Sequence, residues 1–144
     1  MSSSNGSRTG VSAEITVGLV GPDDGLLPLM ATLAYSCADP YAVTMAFDVA
    51  TDQPVEWALA RDLLTASLQA REGIGDFQAW PSGDVGGIKI LHLSMTSPFG
   101  HASFEASADD ISAFLDRTFE LVPDGQEPAY LNLDSELTEL LSEA

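Results

Sequence analysis

The chain has 144 residues, 45% apolar and 8% aromatic, enough for one compact domain with a modest core. Its 22 acidic residues face only five basic ones, a formal net charge of −17. Arg8, Arg61, Arg71, Lys89 and Arg117 are too few and too scattered to build the basic stripe that neutralises phosphates, which argues against unaided binding to nucleic acid or to an anionic membrane.

The opening "MSSSNGSRTG" carries one Arg and no apolar run, so residues 1–12 read as a disordered polar tail rather than a secretory signal. One domain is expected over 13–144, without a transmembrane helix, since no run of eighteen apolar residues exists. From Ala13 onward Ile15, Val17 and Leu19 alternate with Glu14, Thr16 and Gly18, the period of a half-buried strand. "GPDDG" marks a turn and "LPLMATLAYS" a second strand. In "AVTMAFDV", Val43, Met45, Phe47 and Val49 take one face of a third strand. Good helix formers from Val55 to Arg71, with Trp57, Ala60, Leu64 and Leu68 at helical spacing, predict a long helix that "REGIGD" ends. "FQAW", "IKILHLSM" and "HASFEA" are three further strands, with "PSGDVGG" as turn chemistry. Ser107 with Asp110 three residues on predicts a helix start, and Ile111, Phe114, Leu115, Phe119 and Val122 form that helix's apolar stripe. Beyond "VPDGQEP", "DSELTELLSEA" predicts a short C-terminal helix. The expected fold is α+β: two strand-strand-strand-helix halves with antiparallel sheets, plus that last helix.

No cofactor or metal is expected. Cys37 is the one cysteine, which suits a reducing compartment, and with only His92 and His101 beside it no zinc spacing exists. Asp23-Asp24-Gly25 lacks the rest of a calcium loop. Ser97 and His101 do not sit on a nucleophile elbow. His101 alternates with Ser103 and Glu105 and should face solvent; His92 shares a face with Ile88 and Ile90 and should be a packed core or barrel residue. Carboxylate pairs carry little information in so acidic a chain, and an enzyme is not expected.

Asp39, Tyr41, Trp57, Arg61 and Asp62 form the one constellation worth following, in "CADPYAVTMAFDVATDQPVEWALARDLL". Adjacent helix residues point roughly 100° apart, so Arg61 and Asp62 are separate anchors rather than a mutual pair. The expected arrangement is a structural corner: Asp39-Pro40 as a turn, Tyr41 packed on Trp57, and Arg61 tying both down by pairing with an acid one turn away or with another element such as the Asp39 turn. Trp, Tyr and Arg also anchor interfaces, so a partner surface is the alternative.

"ADPYAV", "VEWALARDLL", "GIGDFQAWPS", "SPFGHASFEA", "FLDRTFELVPDGQE" and the acidic "LDSELTELL" together resemble the SsgA-like proteins of sporulation-specific cell division in actinobacteria. The resemblance runs in order from Ala13 over nearly the whole remaining chain, and its even spread points to the SsgB-like branch. It implies a whirly-like fold, a homotrimer, and a non-enzymatic cytoplasmic protein at the division septum. It also implies an adaptor that helps select the septum site and recruit the tubulin homologue FtsZ, alongside other division or SsgA-like proteins. Whirly-type folds elsewhere bind single-stranded nucleic acid, and that is the competing reading; the charge of −17 opposes it.

Overall fold

A computed structural model describes residues 9–23, 25–48, 55–97 and 100–130. The strands are β1 (Gly10–Val20), β2 (Leu26–Ser36), β3 (Asp39–Phe47), β4 (Val55–Ala60), β5 (Glu72–Ile74), β6 (Phe77–Val85), β7 (Ile88–Ser97) and β8 (Gly100–Ser107). Helix α1 (Arg61–Ser67) follows β4 and helix α2 (Ala108–Leu121) follows β8. Among the described residues the strands form one antiparallel sheet in the order β4-β3-β2-β1-β8-β7-β6-β5, so the fold is α+β.

Each helix follows four strands, not the expected three, and the extra strands explain most of the differences from the sequence reading. The predicted helix over 55–71 is a strand to Ala60 and a helix only from Arg61. Val55–Ala60 are adequate helix formers, but pairing with β3 (Met45 opposite Trp57, Val43 opposite Leu59) overrides that weak preference. β5 is the other missed strand, three residues cut from what reads as a helix-ending turn. β6 runs beyond "FQAW" to Val85, through a register shift between Pro81 and Asp84. Gly86 and Gly87, with φ of 60° and 86°, make the two-residue hairpin turn to Ile88, a left-handed pair that side chains rarely adopt. β1 begins at Gly10, three residues before its alternating pattern becomes legible. The predicted C-terminal helix at 134–144 and the outer part of the polar tail lie outside the described residues; residues 127–130 are helical.

β1 and β8 are held together by only two residue pairs, Gly18 with Glu105 and Leu19 with Phe104. On either side of this narrow seam the sheet curls. Phe47 on β3 and Phe104 on β8 stand three strand positions apart, roughly 14 Å in a flat sheet. Their rings nevertheless stack with centroids 4.0 Å apart and planes 10° from parallel. Inside the curl lie Leu33, Val43, Met45, Leu91, Leu93 and Met95, with Leu64 of α1 and Ile111, Phe114 and Leu115 of α2 closing one side. The Ser107 side chain caps α2 by accepting from the Asp110 N–H at 3.3 Å, as its sequence motif predicts.

Candidate functional site

Arg61 is the centre of the predicted corner, and it is 1% exposed. It opens α1 where β4 ends, and its side chain crosses to the end of α2 rather than to the Asp39 turn. Nη2 donates to Glu127 Oε2 at 2.7 Å. Nη1 donates to the Val122 carbonyl at 2.8 Å and to the Thr118 carbonyl at 3.2 Å, with the Thr118 hydroxyl at 3.4 Å. The last turn of α2 has no basic residue of its own, so a guanidinium 57 to 61 residues earlier in the chain satisfies its carbonyls and opposes its dipole. The Cζ of the same guanidinium lies 4.2 Å from the centroid of the Phe119 ring and 5.0 Å from that of the Tyr35 ring. Arg61 Nε is buried with no hydrogen-bond partner among the described residues.

Tyr35 carries the hub back to the turn. Its hydroxyl donates to the Pro40 carbonyl at 2.8 Å, between Asp39 and Tyr41. Burial pushes the Tyr35 phenol up to about 12, against the opposing pull of Arg61. The hydrogen bond from Arg61, joined by backbone N–H groups of Glu127 and Gly125, holds the Glu127 carboxyl below its usual range. Arg61 and the Asp39-Pro40 turn are therefore linked through Tyr35, without a direct Arg61–Asp39 bond among the described residues.

The other expected members disperse. Asp39 is exposed at the start of β3, opposite Ser36 at a register shift. Tyr41 is 45% exposed and does not pack on Trp57, whose cross-strand partner is Met45, four residues further along β3. Trp57 is half-buried against the core from the sheet's edge. Asp62 is exposed in the first turn of α1, within 4.8 Å of Asp124 and Glu127. That acidic trio does not suit a cation, because Arg61 already occupies the Glu127 carboxylate. Sequence reasoning missed Glu127, Thr118, Phe119 and Tyr35. The available signal was that an Arg among apolar residues must find an acid, but sequence spacing could not choose one 66 residues away.

A second group occupies the sheet face opposite the helices. Trp80, His92 and Glu105 stand side by side on β6, β7 and β8. His92 stacks on Trp80 with centroids 4.4 Å apart, and its Nδ1 lies 3.8 Å from Glu105 Oε2. Arg71 lies 4.1 Å from the Trp80 ring and donates to Gln78 at 2.7 Å. His92 thus lies outside the core, correcting the packed-core expectation; Leu91 and Leu93 beside it on β7 point inward. His101 is exposed, as expected, with its ring nitrogens 3.0 Å from Thr96 Oγ1 and 3.1 Å from Ser103 Oγ. No carboxylate orients that ring among the described residues, so this is not the geometry of an activated hydroxyl.

Residues 29–127 match the family described as Streptomyces sporulation and cell division protein, SsgA. The chain belongs to the SsgA family. Within it, the chain is 46% identical over 136 residues to the sporulation-specific cell division protein SsgB of Thermobifida fusca, covering 94% of this chain and 98% of that one. It is 40% identical over 137 residues to the SsgB of Streptomyces coelicolor, covering 95% and 99%. The crystal structure of the SsgA-like sporulation-specific cell division protein from Thermobifida fusca superposes with a TM-score of 0.84 at 43% identity, covering 94% of this chain and 98% of that one. The hub joins Arg61 and Glu127, both within the family match.

Proposed function

We propose that this protein is a non-enzymatic adaptor in sporulation-specific cell division, which helps select septum sites and recruit FtsZ through protein contacts. The observation that carries the reading is identity of 46% over 136 residues to a protein named as a sporulation-specific cell division protein. The −17 charge and the absence of an oriented nucleophile among the described residues agree with contact rather than chemistry. Four strands and a helix, repeated across a two-pair seam, suit a whirly-like arrangement of two units. Exposed Leu26, Met30, Val85 and Ile88 suit burial against other copies, in line with a homotrimer. The cytoplasmic face of the septum is the corresponding site of action; no described helix is long and apolar enough to cross a membrane.

The single-strand-binding reading loses further ground. Of the five basic side chains, Arg61 is buried and both of its terminal nitrogens are bonded to protein groups, so it cannot serve phosphates. A fluorescent fusion expressed from the native locus should form regular bands that coincide with FtsZ in sporulating cells, and the purified protein should co-sediment with FtsZ polymers. A diffuse fusion with no co-sedimentation would overturn the adaptor reading.

A further inference from the structure

We propose that the free edge of β4 captures an extended segment of a partner protein as a ninth strand. The direction of its backbone groups follows from one bond. The Asp48 N–H donates to the Met30 carbonyl at 2.9 Å, which makes Met30 and Asp48 a hydrogen-bonded pair in the β2–β3 register. Hydrogen-bonded and non-bonded pairs alternate along an antiparallel ladder. Ala46 and Thr44 therefore also aim their backbone groups at β2, while Phe47, Met45 and Val43 aim theirs at β4. Val55, Trp57 and Leu59 receive those bonds. Glu56, Ala58 and Ala60 turn their N–H groups away from the sheet, and among the described residues nothing bonds to the backbones of Glu56 or Ala58 from that side.

Sheet edges are ordinarily guarded by shortness, lysine, proline or a bulge. The opposite edge fits that rule: β5 is three residues long, and its Gly73 is so closely backed by Gln78 and Phe77 that a Cβ there would sit 2.8 Å from Gln78. β4 has six residues, "VEWALA", with no proline, no lysine and no register shift against β3. Its outward-bonding residues carry small or acidic exposed side chains, so no bulk stands between the edge and an incoming backbone.

The same strand specifies the chemistry of the occupant. A strand added beside β4 places alternate side chains on the two sheet faces. On the inner face they extend half-buried Trp57 and buried Leu59, which calls for apolar residues; on the outer face they meet Glu56, which calls for basic ones. A second copy of β4 is disfavoured, because two chains of −17 would meet across a contact of few hydrogen bonds. The partner strand is therefore an alternating apolar-basic segment of a different protein. This adds a surface to the division reading but stands on the sheet alone, so its failure leaves that reading untouched.

The probe is a capped octapeptide of alternating Lys and Val, with an alternating Lys and Gly peptide of equal charge as control. Titrated into the whole protein, the Val peptide should bind about tenfold tighter than the Gly peptide, and Ala58→Pro, which deletes an outward donor and blocks the edge, should remove about that advantage. Amide exchange followed residue by residue should show Glu56, Ala58 and Ala60 exchanging fast in the free protein and slowing on saturation, with Trp57 and Leu59 slow throughout. If the proline variant does not fold, the exchange map on the unaltered protein decides. Equal binding of the two peptides, full binding by the variant, or outward amides already protected without peptide would each overturn the proposal.

Discussion

Two arginines in this protein do the same thing in different solvents. Arg61 lies 4.2 Å from the Phe119 ring and bonds to Glu127; Arg71 lies 4.1 Å from the Trp80 ring and bonds to Gln78. The contacts are alike in distance, yet Arg61 is 1% exposed and Arg71 is on the surface. A guanidinium stripped of water must have its charge and donors satisfied by protein, and any loss leaves a stranded partner. At the surface, water replaces whatever is removed. The first arrangement therefore holds the two ends of the fold together, joining the β4–α1 junction to the end of α2, whereas the second orders a patch of surface.

Replacing Arg61 is the severest way to test that contrast. Arg61→Ala leaves the Glu127 carboxylate buried alone and takes the guanidinium donor from the Val122 carbonyl at the C-cap of α2, so a loss of about 3–5 kcal/mol is expected in urea unfolding. Arg61→Leu combined with Glu127→Leu should recover part of that loss, because it removes both charges together. A single Arg61 variant as stable as the parent protein would show that the hub is ornamental.

Glu127→Gln keeps the shape and removes the charge, with an expected cost of about 1.5–3 kcal/mol at neutral pH. The pH dependence separates this role from packing. The folded-state pKa of Glu127 is depressed, so its contribution is fully present above the ordinary glutamate value near 4.3 and is lost as pH falls through the lower folded value. Melting curves of the parent and the Gln variant should therefore converge in acid, separate as pH rises from the depressed folded value, and reach their full gap by about pH 4.3. A constant gap across that window would assign the loss to shape alone.

Tyr35 gives a smaller effect of opposite sign. Its pKa is raised to about 12, so the phenol stays neutral in the folded protein while an unfolded chain ionises near 10. Stability from this group is present below about pH 10 and is lost as pH rises toward 12. Ultraviolet titration should find one tyrosine ionising late, and Tyr35→Phe should abolish that late step. The variant should cost about 1 kcal/mol, by leaving the Pro40 carbonyl without its donor.

The hub and the surface patch were legible to different degrees in the sequence. Alternation exposed β1 and β3, and the Ser107 cap with its apolar stripe exposed α2, because these signals are local and repeated. β4 failed because Trp57, Ala60, Leu64 and Leu68 fit a helix as well as Trp57 and Leu59 fit a strand, and only the partner strand settles the choice. Arg61 stood out by rarity among five cations, but Glu127 did not stand out among 22 acids. Trp80, His92 and Glu105 come from three separated segments and meet only through register, which one chain read in order does not display.

The gentlest test falls on the exposed arginine. Arg71→Ala should change stability by less than about 1 kcal/mol, since an exposed cation over a ring contributes about 0.5–1 kcal/mol and water takes over its remaining bonds. It should still be visible spectroscopically, because Arg71 covers one part of an indole whose ring also stacks with His92. Removing the guanidinium opens Trp80 to water, so its emission should shift to longer wavelength while the melting temperature stays within a few degrees. Trp57 emits as well, half-buried on β4, and a Trp57→Phe background isolates the Trp80 signal. A melting temperature that falls as far as it does for Arg61→Ala would erase the distinction between the two arginines, and would mean that the outer face of the sheet is covered in solution.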